Sequence, residues 1–257
     1  MSLSRIVKRL ANQNGFVLFR RPSQIIPKDL PDASGYREPE SVDFVRLYRP
    51  WNEPSFLGKI PREVFETTVL SPTKLYFLHE LMSNCSALPG DFFEAGSGSG
   101  GSAFLMANFI RRASLKKLVW TLDTFEGYRG VNAERDSVQI QESNRKFDQL
   151  DAVRKFLQPF EDEVRIVPGI IPASLAAVTT AAICFAHIDV NLYGPTYDST
   201  CFCLERMTDG GIILFDDYNW PATFGARKAI DDASAKFGCS VISIPESTQA
   251  FLIFRKR

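Results

Sequence analysis

The chain has 257 residues, 45% hydrophobic and 23% charged, enough apolar material for a sizeable core and incompatible with disorder along its whole length. Lys plus Arg and Asp plus Glu each number 30, so no net basic field exists to hold a nucleic-acid backbone or an anionic membrane, and no nucleic-acid partner is expected. Glycine and proline, 16 and 15, are near average usage and no internal repeat is visible, which removes collagen-like and low-complexity classes. Five cysteines (Cys85, Cys184, Cys201, Cys203, Cys239) without a C-x-x-C pair argue against a disulfide framework or a thiolate zinc site and fit a reducing cytoplasm. No apolar run approaches the roughly 18 residues that a membrane span needs.

Residues 1–64 hold seven of the 15 prolines, with Tyr36, Phe44, Tyr48, Trp51 and Phe56 among them, and read as an irregular cap on a main domain over 65–257. Leu3, Ile6, Val7 and Leu10 fall at helical spacing between Arg5, Lys8 and Arg9. That pattern suits a short surface helix packed on the domain or on a second subunit, which leaves a homo-oligomer open; peripheral membrane docking or a transit sequence is the weaker alternative. Beyond residue 65 apolar strands alternate with helices. Strands are predicted over Asp91–Glu94, Leu118–Asp123, Val164–Val167, Ile183–Asp189 and Gly211–Asp216, with closing strands over Ser240–Ile244 and Ala250–Phe254. Helices are predicted over Ser102–Arg112, Arg145–Leu157, Thr196–Met207 and Ala222–Phe237. The alternation implies an α/β fold with a mostly parallel sheet covered on both faces and a ligand site at the carboxyl ends of its strands.

The string from Asp91 to Ser102, DFFEAGSGSGGS, leaves a strand and opens a helix. Glycines permit tight turns and close approach, and free amides at a helix start attract an anionic group, so a bound cofactor is expected. Gly96, Gly98 and Gly101 satisfy G-x-G-x-x-G, which admits a nicotinamide or flavin dinucleotide. Glu94 favours S-adenosylmethionine instead: two residues before the first glycine, its carboxylate suits a methionine ammonium or ordered water and sits badly beside a pyrophosphate. Asp123, ending the next strand, suits both ribose hydroxyls of either cofactor.

Two further buried strands end in acids, at Asp189 and at Asp216-Asp217. As neighbours they would bring three carboxylates together, so that one takes a proton or a hard divalent cation, most simply magnesium, neutralises them. His187 shares the face of Asp189 but lies deeper and reads as a hydrogen-bonded core histidine; His79 reads as structural, and Cys201 and Cys203 as core fillers.

With these motifs the chain resembles the macrocin-type, metal-dependent sugar O-methyltransferases. The resemblance runs from about Thr67 to the carboxyl end, through Gly90–Gly96 (GDFFEAG), Asp123–Gly127 (DTFEG), His187–Tyr193 (HIDVNLY), Asp216-Asp217-Tyr218, Gly225–Ala229 (GARKA) and Thr248–Ala250 (TQA). It implies a class I methyltransferase (Rossmann-like) fold with a seven-stranded sheet, and Mg-assisted methyl transfer from S-adenosylmethionine to a hydroxyl of a sugar or glycosylated natural product. Glu94, Gly96, Gly98, Ser102, Asp123 and Thr124 would line the cofactor, and Asp189, Asp216 and Asp217 would hold the metal. The glycine loop departs from the bulkier version of many relatives. Asn191 stands where the family's second acid, a general base, is expected, and an amide accepts no proton. The metal would then supply most of the activation, the proton leaving to a metal-bound water, to Asp189 or to another carboxylate. The alternatives are a nicotinamide-dependent oxidoreductase and a catalytically altered binding protein of the same fold, the latter suggested by Asn191. The aromatic cap, with Trp51 or Tyr48, is expected to cover the acceptor, and Trp220 to form the opposite wall.

Overall fold

A computed structural model describes residues 50–142, 149–245 and 247–256, together with two short antiparallel strands, Phe16–Val17 and Val45–Arg46. The chain divides into two compact units, Met1–Pro50 and Trp51–Arg257. The second therefore begins before residue 65, and the reason is visible in its core: Phe56, Ile60 and Val64 are buried there. Residues 3–10, Tyr36, Phe44 and Tyr48 lie outside the described residues.

Seven strands form the sheet of the second unit: β1 Asp91–Ala95, β2 Val119–Asp123, β3 Val164–Pro168, β4 Ile183–Ile188, β5 Met207–Phe215, β6 Ile242–Ser243 and β7 Ala250–Ile253. Their order is β3-β2-β1-β4-β5-β7-β6, parallel from β3 through β5, with β7 antiparallel to both of its neighbours. The order reverses between β1 and β4, and that switch point opens a crevice at the carboxyl edge. The helices are α1 Pro54–Leu57, α2 Arg62–Thr67, α3 Pro72–Cys85, α4 Gly101–Arg112, α5 Val138–Glu142, α6 Leu150–Leu157, α7 Tyr193–Arg206 and α8 Phe224–Phe237.

Alternation along the strands sorts the core into two layers. Phe92, Phe185, Ile212 and Leu214 face a cluster with Leu75, Leu78 and Met82 of α3 and Phe104 to Ala107 of α4. Phe93, Ala186, Ile213 and Phe215 face the other cluster, with Phe202 to Leu204 of α7 and Ile230 of α8. Every residue of β4 is buried, as a strand covered on both faces requires. The register sets Glu94 beside His187 and His187 beside Leu214, so Glu94, His187 and, one pleat further, Asp189 and Asp216 belong to the α3 side.

Several element boundaries differ from expectation; the helix expected over Arg145–Leu157 begins at Leu150, residues 145–148 lying outside those described. Helix α7 starts at Tyr193, ahead of Thr196, because Asp136 Oδ1 accepts the Tyr193 N–H at 2.8 Å and Pro195 is tolerated in a first turn. The closing strand expected over Ser240–Ile244 keeps only Ile242 and Ser243 in the ladder. Helix α3, of which only Lys74 to Met82 is helix-like in pattern, begins with a Ser71 cap, whose hydroxyl accepts the Lys74 N–H, and Pro72 in its first turn.

Candidate active site

The turn after β1 is made for close approach. A Cβ built on Gly96, whose φ is 95°, would stand 1.9 Å from the Asp189 carbonyl oxygen, so only glycine lets the loop after β1 touch the end of β4. Gly98 donates its N–H to Asp123 Oδ2 at 2.8 Å, and Phe125 donates to Oδ1 at 2.7 Å. The carboxylate at the end of β2 is thus aimed by two backbone amides, and the Thr124 hydroxyl also donates to Oδ1, at 3.5 Å. Burial nonetheless raises the Asp123 pKa, against those two bonds. Helix α4 has no side-chain cap at Gly100, so its first amides point at the loop unclaimed. Ser97 is buried with its hydroxyl unpartnered among the described residues. A cavity of about 830 Å³, within the range of cofactor pockets, is lined by Gly96, Gly98, Ser102, Asp123, Thr124 and the ends of the other parallel strands.

The opposite wall is built from charge. Asp189, Asn191, Asp216 and Asp217 all line the same cavity. Burial, then Asp216, then Asp217 push the Asp189 carboxyl well above its usual range. Asp217 rises to about 7, again through burial first and Asp216 second, while accepting the Asn191 backbone N–H at 3.2 Å. Asp216 is anchored from two sides: Lys74 Nζ of α3 donates to Oδ2, and Gln249 Nε2 donates to Oδ1 at 2.9 Å. Burial opposes the charge on Lys74, but Asp216 prevails and holds the ammonium above its ordinary pKa. One ammonium against three carboxylates leaves an uncompensated negative field, the condition under which a divalent cation is bound. The residues present therefore fit both a sulfonium donor with its ribose and carboxylate and a metal ion beside it.

Comparison with known proteins identifies the fold's use. The description of the family "Macrocin-O-methyltransferase (TylF)" matches residues 62–240. The chain belongs to this family. Among its relatives, 8-demethyl-8-(2,3-dimethoxy-alpha-L-rhamnosyl)-tetracenomycin-C 4'-O-methyltransferase of Streptomyces olivaceus is 29% identical, over 80% of this chain and 81% of that one. Mycinamicin III 3''-O-methyltransferase of Micromonospora griseorubida is 24% identical over 60% and 63%. The solved O-methyltransferase NovP superposes with a TM-score of 0.62 at 21% identity, covering 72% of this chain and 82% of its own. The calicheamicin methyltransferase CalS11 gives 0.62 at 19%, over 80% and 88%. The strand order and these likenesses are those of class I methyltransferases, so the protein is an O-methyltransferase with S-adenosylmethionine as its cofactor, and a nicotinamide enzyme is ruled out.

Within this macrocin-family site, Gly96, Gly98, Ser102, Asp123, Thr124, Asp189, Asn191, Asp216 and Asp217 come together around one cavity. Glu94 does not stand at the wall. It is fully buried behind it, accepting the Thr121 hydroxyl at 2.5 Å on Oε2 and meeting His187 Nδ1 at 3.3 Å on Oε1, because residue 94 lies inside β1 and its neighbours on β2 and β4 reach it first. His187 is buried and hydrogen-bonded, but a ring nitrogen of it also groups with carboxylate oxygens of Asp189 and Asp216 within 4.8 Å. Trp51 packs edge-on against Tyr76 at 6.0 Å and is not part of the cavity, whereas Trp220, 46% exposed, lines it. Lys74, from α3 and 142 residues from Asp216, had no motif to betray it, and Gln249, although part of the TQA motif, was given no role at the site by the sequence. The segment Thr67–Leu70, which closes over the glycine loop, was equally silent. No described helix is long and apolar enough to cross a membrane.

Proposed function

We propose that the acceptor is a hydroxyl of a sugar carried by a natural product, and that a divalent cation, magnesium in the simplest case, is held by Asp189, Asp216 and Asp217. The observation that carries this reading is the junction of the two walls: the glycine loop abuts the Asp189 backbone so closely that a donor seated on that loop lies next to the carboxylate cluster. The relatives from Streptomyces olivaceus and Micromonospora griseorubida, named for methylating a tetracenomycin rhamnoside and a mycinamicin, support a glycoside.

In the mechanism, S-adenosylmethionine supplies an electrophilic methyl group and the cation would polarise the acceptor's hydroxyls. The chain's own residues supply position and proton traffic. Asp123, aimed by the Gly98 and Phe125 amides, takes the ribose hydroxyls. Ser97 and the uncapped first amides of α4 receive the donor's carboxylate. Asn191 sits in the left-handed region at φ 61°, which an Asn tolerates, and its side-chain amide positions the acceptor without accepting its proton. Asp189, partly open to the cavity, takes that proton. Lys74 holds Asp216 in place. Holding the acceptor oxygen in line with the methyl carbon contributes much of the acceleration.

Calorimetry with S-adenosylhomocysteine, with and without magnesium, followed by turnover on a rhamnosylated aglycone before and after chelation, tests the assignment. Heat on S-adenosylhomocysteine binding together with turnover lost on chelation is expected; full turnover after chelation rejects the cation, and absence of turnover on every glycoside rejects the acceptor. Asn191 favours a second reading, a binding protein that has lost catalysis. An inert parent alongside an active Asn191→Asp variant would establish it.

A further inference from the structure

We propose that Nε2 of His187 is a ligand of the cation in this site, so that the ion is held by an imidazole as well as by carboxylates and a first-row transition ion is preferred to magnesium. The proposal rests on the reading that a cation occupies the carboxylate cluster. His187 lies wholly buried in β4, and its Nδ1 is engaged by Glu94, itself wholly buried and fixed by Thr121. With a proton on Nδ1 facing that carboxylate, Nε2 of the neutral imidazole presents its lone pair. Nε2 is buried and has no hydrogen-bond partner among the described residues. A buried polar atom left without a partner costs about 1–3 kcal/mol, so one that persists beside a functional site calls for an occupant. Oxygens of Asp189 and Asp216 lie with a ring nitrogen of His187 inside a 4.8 Å circle, the span over which ligands converge on one ion. With Nδ1 taken, the nitrogen available to it is Nε2.

A carboxylate behind an imidazole that faces a metal is the usual means of orienting such a ligand and raising its basicity. Glu94 thereby acquires a part from its position behind the wall: it positions His187 and does not touch the donor. The chemistry of the ligand set then decides the ion. Oxygen ligands alone suit magnesium, while an imidazole added to carboxylates suits manganese, iron, cobalt or zinc. Lys74 does not compete as a nitrogen ligand, since an ammonium has no lone pair to offer.

Pulsed electron paramagnetic resonance on the chelator-treated protein reloaded with one equivalent of Mn²⁺ tests the assignment. A nitrogen coupling characteristic of a bound imidazole is expected in the parent and in Lys74→Met, and absent in His187→Gln. Calorimetry with Mn²⁺ is expected to show a loss of about 10–100-fold in affinity for His187→Gln and about tenfold for Glu94→Gln, as for removal of a ligand and of its support. Mg²⁺ binding, weaker than that of Mn²⁺ in the parent, should change by less than about threefold. Should His187→Gln fail to fold, the parent spectrum decides by itself. Mn²⁺ bound without nitrogen coupling, or no Mn²⁺ binding, overturns the proposal. S-adenosylhomocysteine binding measured on the same samples reports separately on the donor site, so a failed ligand assignment is not mistaken for a failed methyltransferase.

Discussion

The two halves of the carboxyl edge solve their problems with different materials. On the β1–β2 side the site is mostly backbone: a loop that only glycine can form, two amides aiming Asp123, and the open start of α4. On the β4–β5 side it is mostly side-chain charge, three acids partly offset by one ammonium and one amide. The first half leaves the Ser97 hydroxyl and the uncapped start of α4 for a donor, on a backbone already in place. The second is in electrostatic debt until protons or a cation arrive, which makes it sensitive to pH and to metal while its neighbour is sensitive to shape.

That contrast can be broken, most severely, where the halves touch. Gly96→Ala places a methyl against the Asp189 carbonyl in a left-handed backbone, and we expect about 3 kcal/mol of lost stability in urea melts together with loss of S-adenosylhomocysteine binding. Asp189→Ala should spare the donor half: turnover falls by at least about 100-fold while S-adenosylhomocysteine affinity, read by calorimetry, moves by less than about threefold. Removing the internal counter-charge with Lys74→Met leaves Asp216 buried with the Gln249 amide but no ammonium, and because Lys74 is 23% exposed the cost is expected at about 2–3 kcal/mol, below that of a fully buried pair. Added divalent cation should recover part of it.

The pH response follows from the same asymmetry. Asp217 is raised to about 7 and Asp189 also lies above its unfolded value of 3.8, so the native state binds more protons than the unfolded one between those limits. Stability of the metal-free protein, from thermal melts in chelator, is therefore full below about 3.8 as far as these groups are concerned and declines as pH rises through about 7. Saturating cation should flatten the slope; a metal-free protein that gains stability across this window would contradict the charge balance described. The smallest effect belongs to the rim, where Trp220→Ala should raise the acceptor KM by about fivefold, roughly 1 kcal/mol of lost ring contact, without altering donor binding.

Much of this was legible before folding. The glycine string, Asp123 ending a strand, and acids ending two later strands are local signals, readable because a strand's last residue must sit at the sheet's edge whatever its neighbours are. Glu94 shows where such reading fails. Its distance from the glycines is a matter of sequence, but which way it turns depends on Thr121 and His187 across two parallel ladders. The start of α7 escaped for the same reason, since its cap comes from Asp136 in a distant loop.

By itself, then, the amino-acid order determined the alternation of strands and helices, the tight turn after β1 and the stock of carboxylates, because periodicity and backbone freedom are properties of short segments. Only the tertiary structure decided that Lys74 and Gln249 anchor Asp216, that Glu94 stands behind the wall, and that His187 lies beside the acids. Those outcomes depend on strand order and register, which bring residues 33 to 142 positions apart within hydrogen-bonding distance and which no local pattern encodes.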